Sequence, residues 1–319
     1  MWDPSPTPHH PWNICCHDRL IPRVIRGLAK TLQKMMHADG DSPRPLECSA
    51  AHIEKVLYQQ MKSLLNQANE VAKMRGAKSI EAIDFLFLMR KNRVKVRRLL
   101  DYFAVKDARS IFNAEALKAD QPIQKSCTLQ KCLKVLRKID ITGELTDRRI
   151  KLFDEVKNRR RLRAELVSRL LNEKRYLEYA AARTVSFTFA PKKSGFRLNM
   201  WLLSKGEKLP RLPKEKSLGC QILCYLARET VSQIMDLTFL AREDMTITRD
   251  PVNKNYPALF GPNLPQFPME GVEKIYGITP VIPSEIEAAL ARYWSPCFYP
   301  FSTFSRNVGP QVHKRLLAC

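Results

Sequence analysis

One arrangement of helical segments occurs twice in this chain, and that repetition limits the fold more than any composition figure. A short amphipathic segment, a longer apolar one and a short third one run from about Pro22 to Phe103, then recur between about Phe187 and Trp294. The copies share spacing more than residues. They therefore read as two unlike halves that pack on each other, not as a tandem array.

In the first copy, Val24, Ile25, Leu28, Leu32, Met35 and Met36 have helical spacing and stop at the turn signal Asp39-Gly40-Asp41, followed by Pro43 and Pro45. Ser49 is the expected N-cap of the next helix, whose apolar positions Ile53, Leu57, Met61, Leu64, Ala68 and Val71 step by three or four up to Arg75-Gly76. That span is about 40 Å of helix at about 1.5 Å per residue. Gly76 ends it, Ala77-Lys78 reads as a brief extended piece, and Ser79 is expected to cap a third helix through Asp84-Phe85-Leu86-Phe87-Leu88-Met89. A basic fourth helix follows, from Val94 to Phe103.

The periodicity weakens from Asp107 to about Lys131, which reads as linker. Charged residues then dominate from Arg148 to Arg175, interleaved with Leu162, Leu166, Leu170 and Leu177, the pattern of one long connecting helix with a single apolar stripe. The second copy holds a short helix near 196–203 and a long one from about Glu215 to Glu243. In the latter the stripe from Leu223 through Ile234 to Ala241, joined by Leu218, Ile222, Tyr225 and Leu240, predicts burial on two sides. Residues 246–280 are rich in proline and glycine and read as loop, Val281-Ile282 as a short strand, and Glu285 to Trp294 as the third helix.

A long helix apolar on two faces and flanked by two short ones cannot enclose its own surface. The histone fold meets this by crossing two central helices head to tail, and fusing both units raises the partner's effective concentration. The expected fold class is therefore all-α: two histone folds in one chain, forming an intramolecular pair joined by a helical linker. The expected units are a flexible arm at 1–21, a first fold at 22–106, a linker at 107–184, a second fold at 185–295 and a tail at 296–319. Such a pair has no need of a homodimer.

Fifty-four Lys and Arg against 32 Asp and Glu give a net charge of +22, which favours acidic partners. No stretch approaches the roughly 20 apolar residues of a membrane helix, and the start Met1-Trp2-Asp3-Pro4 lacks the form of a secretory signal. Nine scattered cysteines without a CxxC pair argue against a disulfide framework and for a reducing compartment. Cys15-Cys16-His17, near His9 and His10, reads as part of a disordered arm rather than a metal site, and Cys220 with Cys224 as buried thiols one helical turn apart. With no Gly-rich phosphate loop, HExxH or nucleophile elbow, the chain reads as non-enzymatic and without cofactor.

Several strings together resemble the Spt-three family, a histone-fold subunit of the SAGA transcriptional coactivator. They are Leu32-Gln33-Lys34-Met35-Met36, Arg44-Pro45-Leu46, Arg75-Gly76-Ala77, Phe87-Leu88-Met89-Arg90-Lys91, Thr142-Gly143-Glu144-Leu145, Tyr225-Leu226-Ala227 and Glu229-Thr230-Val231. The resemblance implies a nuclear, architectural subunit that contacts the TATA-binding protein (TBP) and other SAGA histone-fold and core subunits, and that helps deliver TBP to RNA polymerase II promoters. Asn92 stands where the family carries an aspartate, and the connector is basic where that of many members is acidic.

Tyr225, Glu229, Ser232 and Asp236 share one face of the second long helix. The resemblance places Glu229 on the helix through which the family engages TBP, so Glu229, Asp236 and Tyr225 are the TBP-binding candidates; a solvated face or an internal ion pair accounts for them equally well. Arg75 and Asp84 flank one loop and are candidates for a structural clamp. Arg159, Arg160, Arg161 and Arg163, like the cluster from Arg90 to Arg98, are candidates for nonspecific contact with DNA phosphates, and the former equally for nuclear import. Two further readings stand beside the coactivator: a histone-like protein binding DNA through its charge, and a TFIID-type histone-fold factor.

Overall fold

The computed structural model describes residues 23–116, 127–147, 149–150, 152–187, 198–248, 279–294 and 315–319. Among them are α1 (Arg23–Ala38), α2 (Glu47–Met74), α3 (Ala82–Met89), α4 (Arg93–Ala116), α5 (Thr128–Leu136), α6 (Glu155–Leu170), α7 (Glu173–Arg183), α8 (Leu198–Ser204), α9 (Leu218–Thr248) and α10 (Pro283–Trp294), and no strand. The expected arm at 1–21, with Cys15-Cys16-His17, lies outside these residues, as do most of the 246–280 loop and of the tail.

The two long helices organise everything else. α2 and α9 touch each other, and each also carries shorter helices: α1 and α3 lie against both, and α10 packs on α9 and α2. One continuous core results, drawing Leu32 and Met36 from α1, Leu57 and Met61 from α2, Phe85 from α3, Phe103 from α4, Trp201 from α8, Leu226 and Ile234 from α9, and Leu290 from α10. Each fully buried side chain of this kind contributes roughly 1.5–3 kcal/mol through removal of apolar surface from water. From Leu218 to Glu243 no residue of α9 is exposed, so burial goes beyond the two expected sides to the whole circumference.

Caps decide where the elements stop. α2 ends in a Schellman arrangement: Gly76, at φ +71°, donates its N–H to Lys73 O at 2.9 Å, and Ala77 donates to Ala72 O at 2.9 Å. Ser49 does not cap α2, which begins two residues earlier at Glu47; its buried hydroxyl instead donates to Val281 O at 2.5 Å. Ser79 likewise does not cap α3. Glu81 does, in a capping box with Asp84, whose Oδ2 accepts the Glu81 N–H at 2.8 Å. Asn92 begins α4 by accepting the Lys95 N–H at 3.0 Å, so the change from aspartate keeps the acceptor and loses only the charge.

The connector differs most from expectation. α4 continues to Ala116, where the weak pattern predicted linker, and the long charged helix is two helices. Asn172 divides them: its side chain accepts the Arg175 N–H at 3.0 Å and starts α7 in a new direction. α7 then packs against α1, with the ring of Tyr179 edge-on to His37 at 5.3 Å. Val281 forms no strand; its N–H goes to Asp41 Oδ1 at 2.9 Å, while its carbonyl takes Ser49. At the far end of the expected tail, Leu317 and Ala318 are buried, and Leu317 donates its N–H to Gln60 Oε1 at 2.9 Å.

Candidate functional site: a buried charge lattice beneath helix α6

The acidic face of α9 is covered. Glu229 and Asp236 project toward α6, their side chains only 7% and 11% exposed. Arg160 reaches both: Nη1 donates to Glu229 Oε2 at 2.8 Å, Nη2 to Oε1 at 3.0 Å, and Nε to Asp236 Oδ2 at 2.7 Å. Arg163, one turn further along α6, donates to Asp236 Oδ1 at 2.5 Å. From α4, Arg98 joins Glu229 Oε1 at 2.5 Å and forks onto both oxygens of Asp154 at 2.8 Å. Asp154 is also the N-cap of α6, accepting the Lys157 N–H at 2.9 Å, and Lys157 Nζ reaches Asp101 at 2.7 Å. Lys157, Arg160 and Arg163, spaced three apart, thus present one cationic edge of α6 to α4 and α9.

A second fork lies beside the first. Arg228 of α9 grips Asp39, just after α1, at 2.7 and 2.8 Å, and Ser232 Oγ lies within 3.2 Å of both Asp39 oxygens. Burial pushes the Glu229 carboxyl up, yet Arg160 and Arg98 outweigh it and hold the group below its ordinary value. Asp39 follows the same rule: burial raises it, and Arg228 brings it down. Burial lowers Arg160, but Glu229 and Asp236 more than restore it, so it stays charged. Burial, then the negative charge of Glu229, pushes the Tyr225 phenol well up; its ring lies 5.0 Å from that of Tyr102.

These positions bear directly on the sequence candidates. Glu229, Asp236 and Tyr225 do cluster on one face of α9, but that face is interior, held by cations from two other helices. Of the four arginines expected to meet phosphate, Arg160 and Arg163 belong to the lattice, Arg159 pairs with Glu155 at 2.5 Å, and Arg161 is exposed. Most of the Arg90–Arg98 cluster is engaged within the chain, although Lys91 and Arg93 remain exposed. Arg90 stacks on Phe87, Arg93 pairs with Glu144, Lys95 donates to Leu317 O and Cys319 O, and Arg97 reaches Asp147 O. Asp39, Asp154 and Arg228 were missing from the sequence candidates. Asp39 looked like a turn residue, and no local spacing links it to Arg228, 189 positions away.

Arg75 donates from Nε and Nη2 to the two oxygens of Asp84 at 3.2 and 3.1 Å, fastening the end of α2 to α3. The second half repeats this joint. Arg242 near the end of α9 forks onto Glu285 in the first turn of α10 at 2.9 and 2.6 Å, and donates to Thr279 O and Pro280 O. Cys220 and Cys224 lie side by side; a hydrogen bond from Cys224 brings the Cys220 thiol down to about 7. Among the described residues no group of three or more His, Cys, Asp or Glu side chains is placed to hold a metal, and no helix is long and apolar enough to cross a membrane.

Comparison with known proteins gives these helices a family. Residues 26–116, which span most of α1 and all of α2–α4, match the family described as transcription initiation factor IID, 18kD subunit. The SAGA complex subunit Spt3 of Drosophila melanogaster is 29% identical over 219 residues, covering 67% of this chain and 53% of that protein. The SAGA complex subunit SPT3 of Saccharomyces cerevisiae is 36% identical over 78 residues, 24% of this chain and 23% of that one. Transcription initiation factor TFIID subunit 13 of Arabidopsis thaliana is 33% identical over 90 residues, 27% of this chain and 70% of that one. The class these features define is the histone-fold transcription protein. Within it, the chain belongs to the Spt3 family. It spans about half the length of the Drosophila relative and about a quarter of that of the yeast one.

Proposed function

We propose that this chain is a non-catalytic, nuclear coactivator subunit of a SAGA-type complex, that its halves at 22–106 and 185–295 form an intramolecular histone-fold pair across the linker at 107–184, and that it binds TBP and helps deliver it to promoters. The observation that carries the pairing is the double tie of Val281, just before α10, to the loop after α1 and the start of α2: Ser49 donates to Val281 O, and Val281 N–H to Asp41. At the other end, a Cβ on Gly219 at the start of α9 would come within 3.2 Å of the Ala82 backbone, so the starts of α3 and α9 also meet closely. Head-to-tail crossing of α2 and α9 produces contacts at both ends. The repeated joint, Arg75 with Asp84 and Arg242 with Glu285, supports reading the second half as a histone fold too. Membership of a SAGA-type complex rests on the names of the relatives, and co-purification with SAGA rather than TFIID subunits tests it.

For TBP, Glu229 and Asp236 act as positioning residues that hold α6 in place, Tyr225 packs beside them on Tyr102 of α4, and the partner meets the outer surface of α6 and its margins. Glu229→Lys would set a fourth cation against Arg98, Arg160 and Arg228, and α6 would lose its seat. The expected result is joint loss of TBP capture and of hydrogen-exchange protection in α6. Retained capture with a loosened α6 sinks this reading, and lost capture with α6 intact returns Glu229 to direct contact. A DNA-contacting role has its own support in Lys30, Lys34 and Arg44, which line a cavity of about 520 Å³ between α1 and α7. A mobility-shift series in salt decides that point.

A further inference from the structure

Behind the charge lattice, where α6, α7, α9 and the end of α1 converge, lies a polar cavity of about 160 Å³. Four guanidiniums line it, those of Arg160, Arg163, Arg183 and Arg228, against a single lining carboxylate, Asp39. A guanidinium has five N–H donors. Arg163 is 7% exposed, and its one hydrogen bond to a carboxylate is that from Nη2 to Asp236. Its side chain runs across Gly40, where a Cβ would come within 2.8 Å of Arg163 Cδ, so the lack of a side chain there leaves it room. Arg183, on the exposed side of α7, lies over the Tyr179 ring at 5.8 Å, and no carboxylate of the described residues pairs with it. Together with the acids behind them, Arg98, Arg160, Arg163, Arg183 and Arg228 face Asp39, Asp154, Glu229 and Asp236, which leaves one positive charge in surplus.

We propose that this cavity is an oxyanion site that takes a phosphoryl group, a phosphate monoester or free phosphate, entering past Arg183. The N–H groups of Arg163 and Arg183 that no carboxylate takes are open to this solvent-reached void, where an oxyanion can replace water, and the planar forks of arginine match phosphate oxygens. The volume suits one tetrahedral anion with a few waters. Arg183 closes the anion from solvent, while Arg163 and Arg228 meet it from within. The proposal is independent of the TBP reading, because it concerns the inner side of the lattice and requires no partner.

The test uses the full chain, inorganic phosphate as the probe, and sodium chloride to hold ionic strength constant. Thermal unfolding should rise with phosphate along a saturable curve, and 31P line broadening should report the same dissociation constant. Arg183→Gln, at an exposed position, should weaken that constant about tenfold while leaving the unfolding temperature without phosphate unchanged. Arg161→Gln, an exposed arginine of α6 outside the cavity, should leave it unaltered. A phosphoserine peptide that competes with phosphate identifies an esterified group as a ligand, and one that does not leaves free phosphate as the occupant. Absence of saturation at matched ionic strength, or equal weakening by the two variants, overturns the site.

Discussion

Asp41 shows how one buried side chain can join distant parts of a chain. It is fully buried; Oδ1 accepts from Ser42 N–H at 2.7 Å and Val281 N–H at 2.9 Å, while Oδ2 has no partner. Burial raises its pKa, an indication that the fold uses the oxygen rather than the charge. Asp41→Asn, which keeps Oδ1, should stay within about 1 kcal/mol of wild type in urea unfolding, whereas Asp41→Ala leaves two buried N–H groups unsatisfied and should cost about 2–4 kcal/mol. Glu229 and Asp39 behave oppositely, with folded values below their ordinary 4.5 and 3.8. The stability they contribute is fully present above those values and is lost as pH falls through the lower folded ones. An unfolding series from pH 6 to 3 should therefore fall most steeply below about 4.5, and Glu229→Gln should flatten that fall. The sequence placed Glu229 and Asp236 on one face correctly, but left open whether that face meets solvent, a partner or an ion pair. Their cations come from Arg98 and Arg160, 131 and 69 residues from Glu229, and no spacing rule spans such separations.

At the scale of elements, helices were easier to read than their ends. The apolar stripes of α2 and α9 predicted long helices because 3.6-residue periodicity survives in any context. Ser49 and Ser79 failed as caps because capping depends on which backbone the chain needs elsewhere: Ser49 was taken by Val281, and Glu81 with Asp84 supplied the box. The break between α6 and α7 was missed because leucines continue at helical spacing across Leu171 and Asn172, and the cap outweighs the stripe. Helix α6 illustrates seating by charge as well as apolar contact. Val167 is buried, but a cavity of about 140 Å³ lined by Leu162, Leu166, Leu237 and Phe239 separates part of it from α9. Asp154→Ala removes the N-cap and the Arg98 fork together. It should cost about 1–3 kcal/mol and speed amide exchange in α6 more than in α2.

The whole molecule depends on its two halves closing one core. Isolated residues 1–126 would leave the α9-facing sides of α2 and α3 without cover, so that fragment should self-associate or fail to unfold cooperatively. The full chain should run as a monomer by light scattering. Recovery of a monomeric, cooperatively folded 1–126 would show that the halves are separable domains and would remove the basis for the intramolecular pair. The high positive charge, read alone, pointed outward to nucleic acid. Five of the 54 cations, Arg98, Arg160, Arg163, Arg228 and Arg242, instead hold carboxylates of other elements, which leaves the surplus of +22 to the remaining residues. A total cannot distinguish a cation in solvent from one in a lattice.

The order of short and long helices, their apolar stripes and the family strings were all present in the sequence, because each depends on neighbours within a turn or two. Tertiary structure alone decided that α6 covers Glu229 and Asp236, that Asp39 joins Arg228, and that the arginines of α6, α7 and α9 surround a polar cavity. Those outcomes depend on which remote surfaces come together when the core closes. Buried charges must then find partners at whatever chain distance the packing sets.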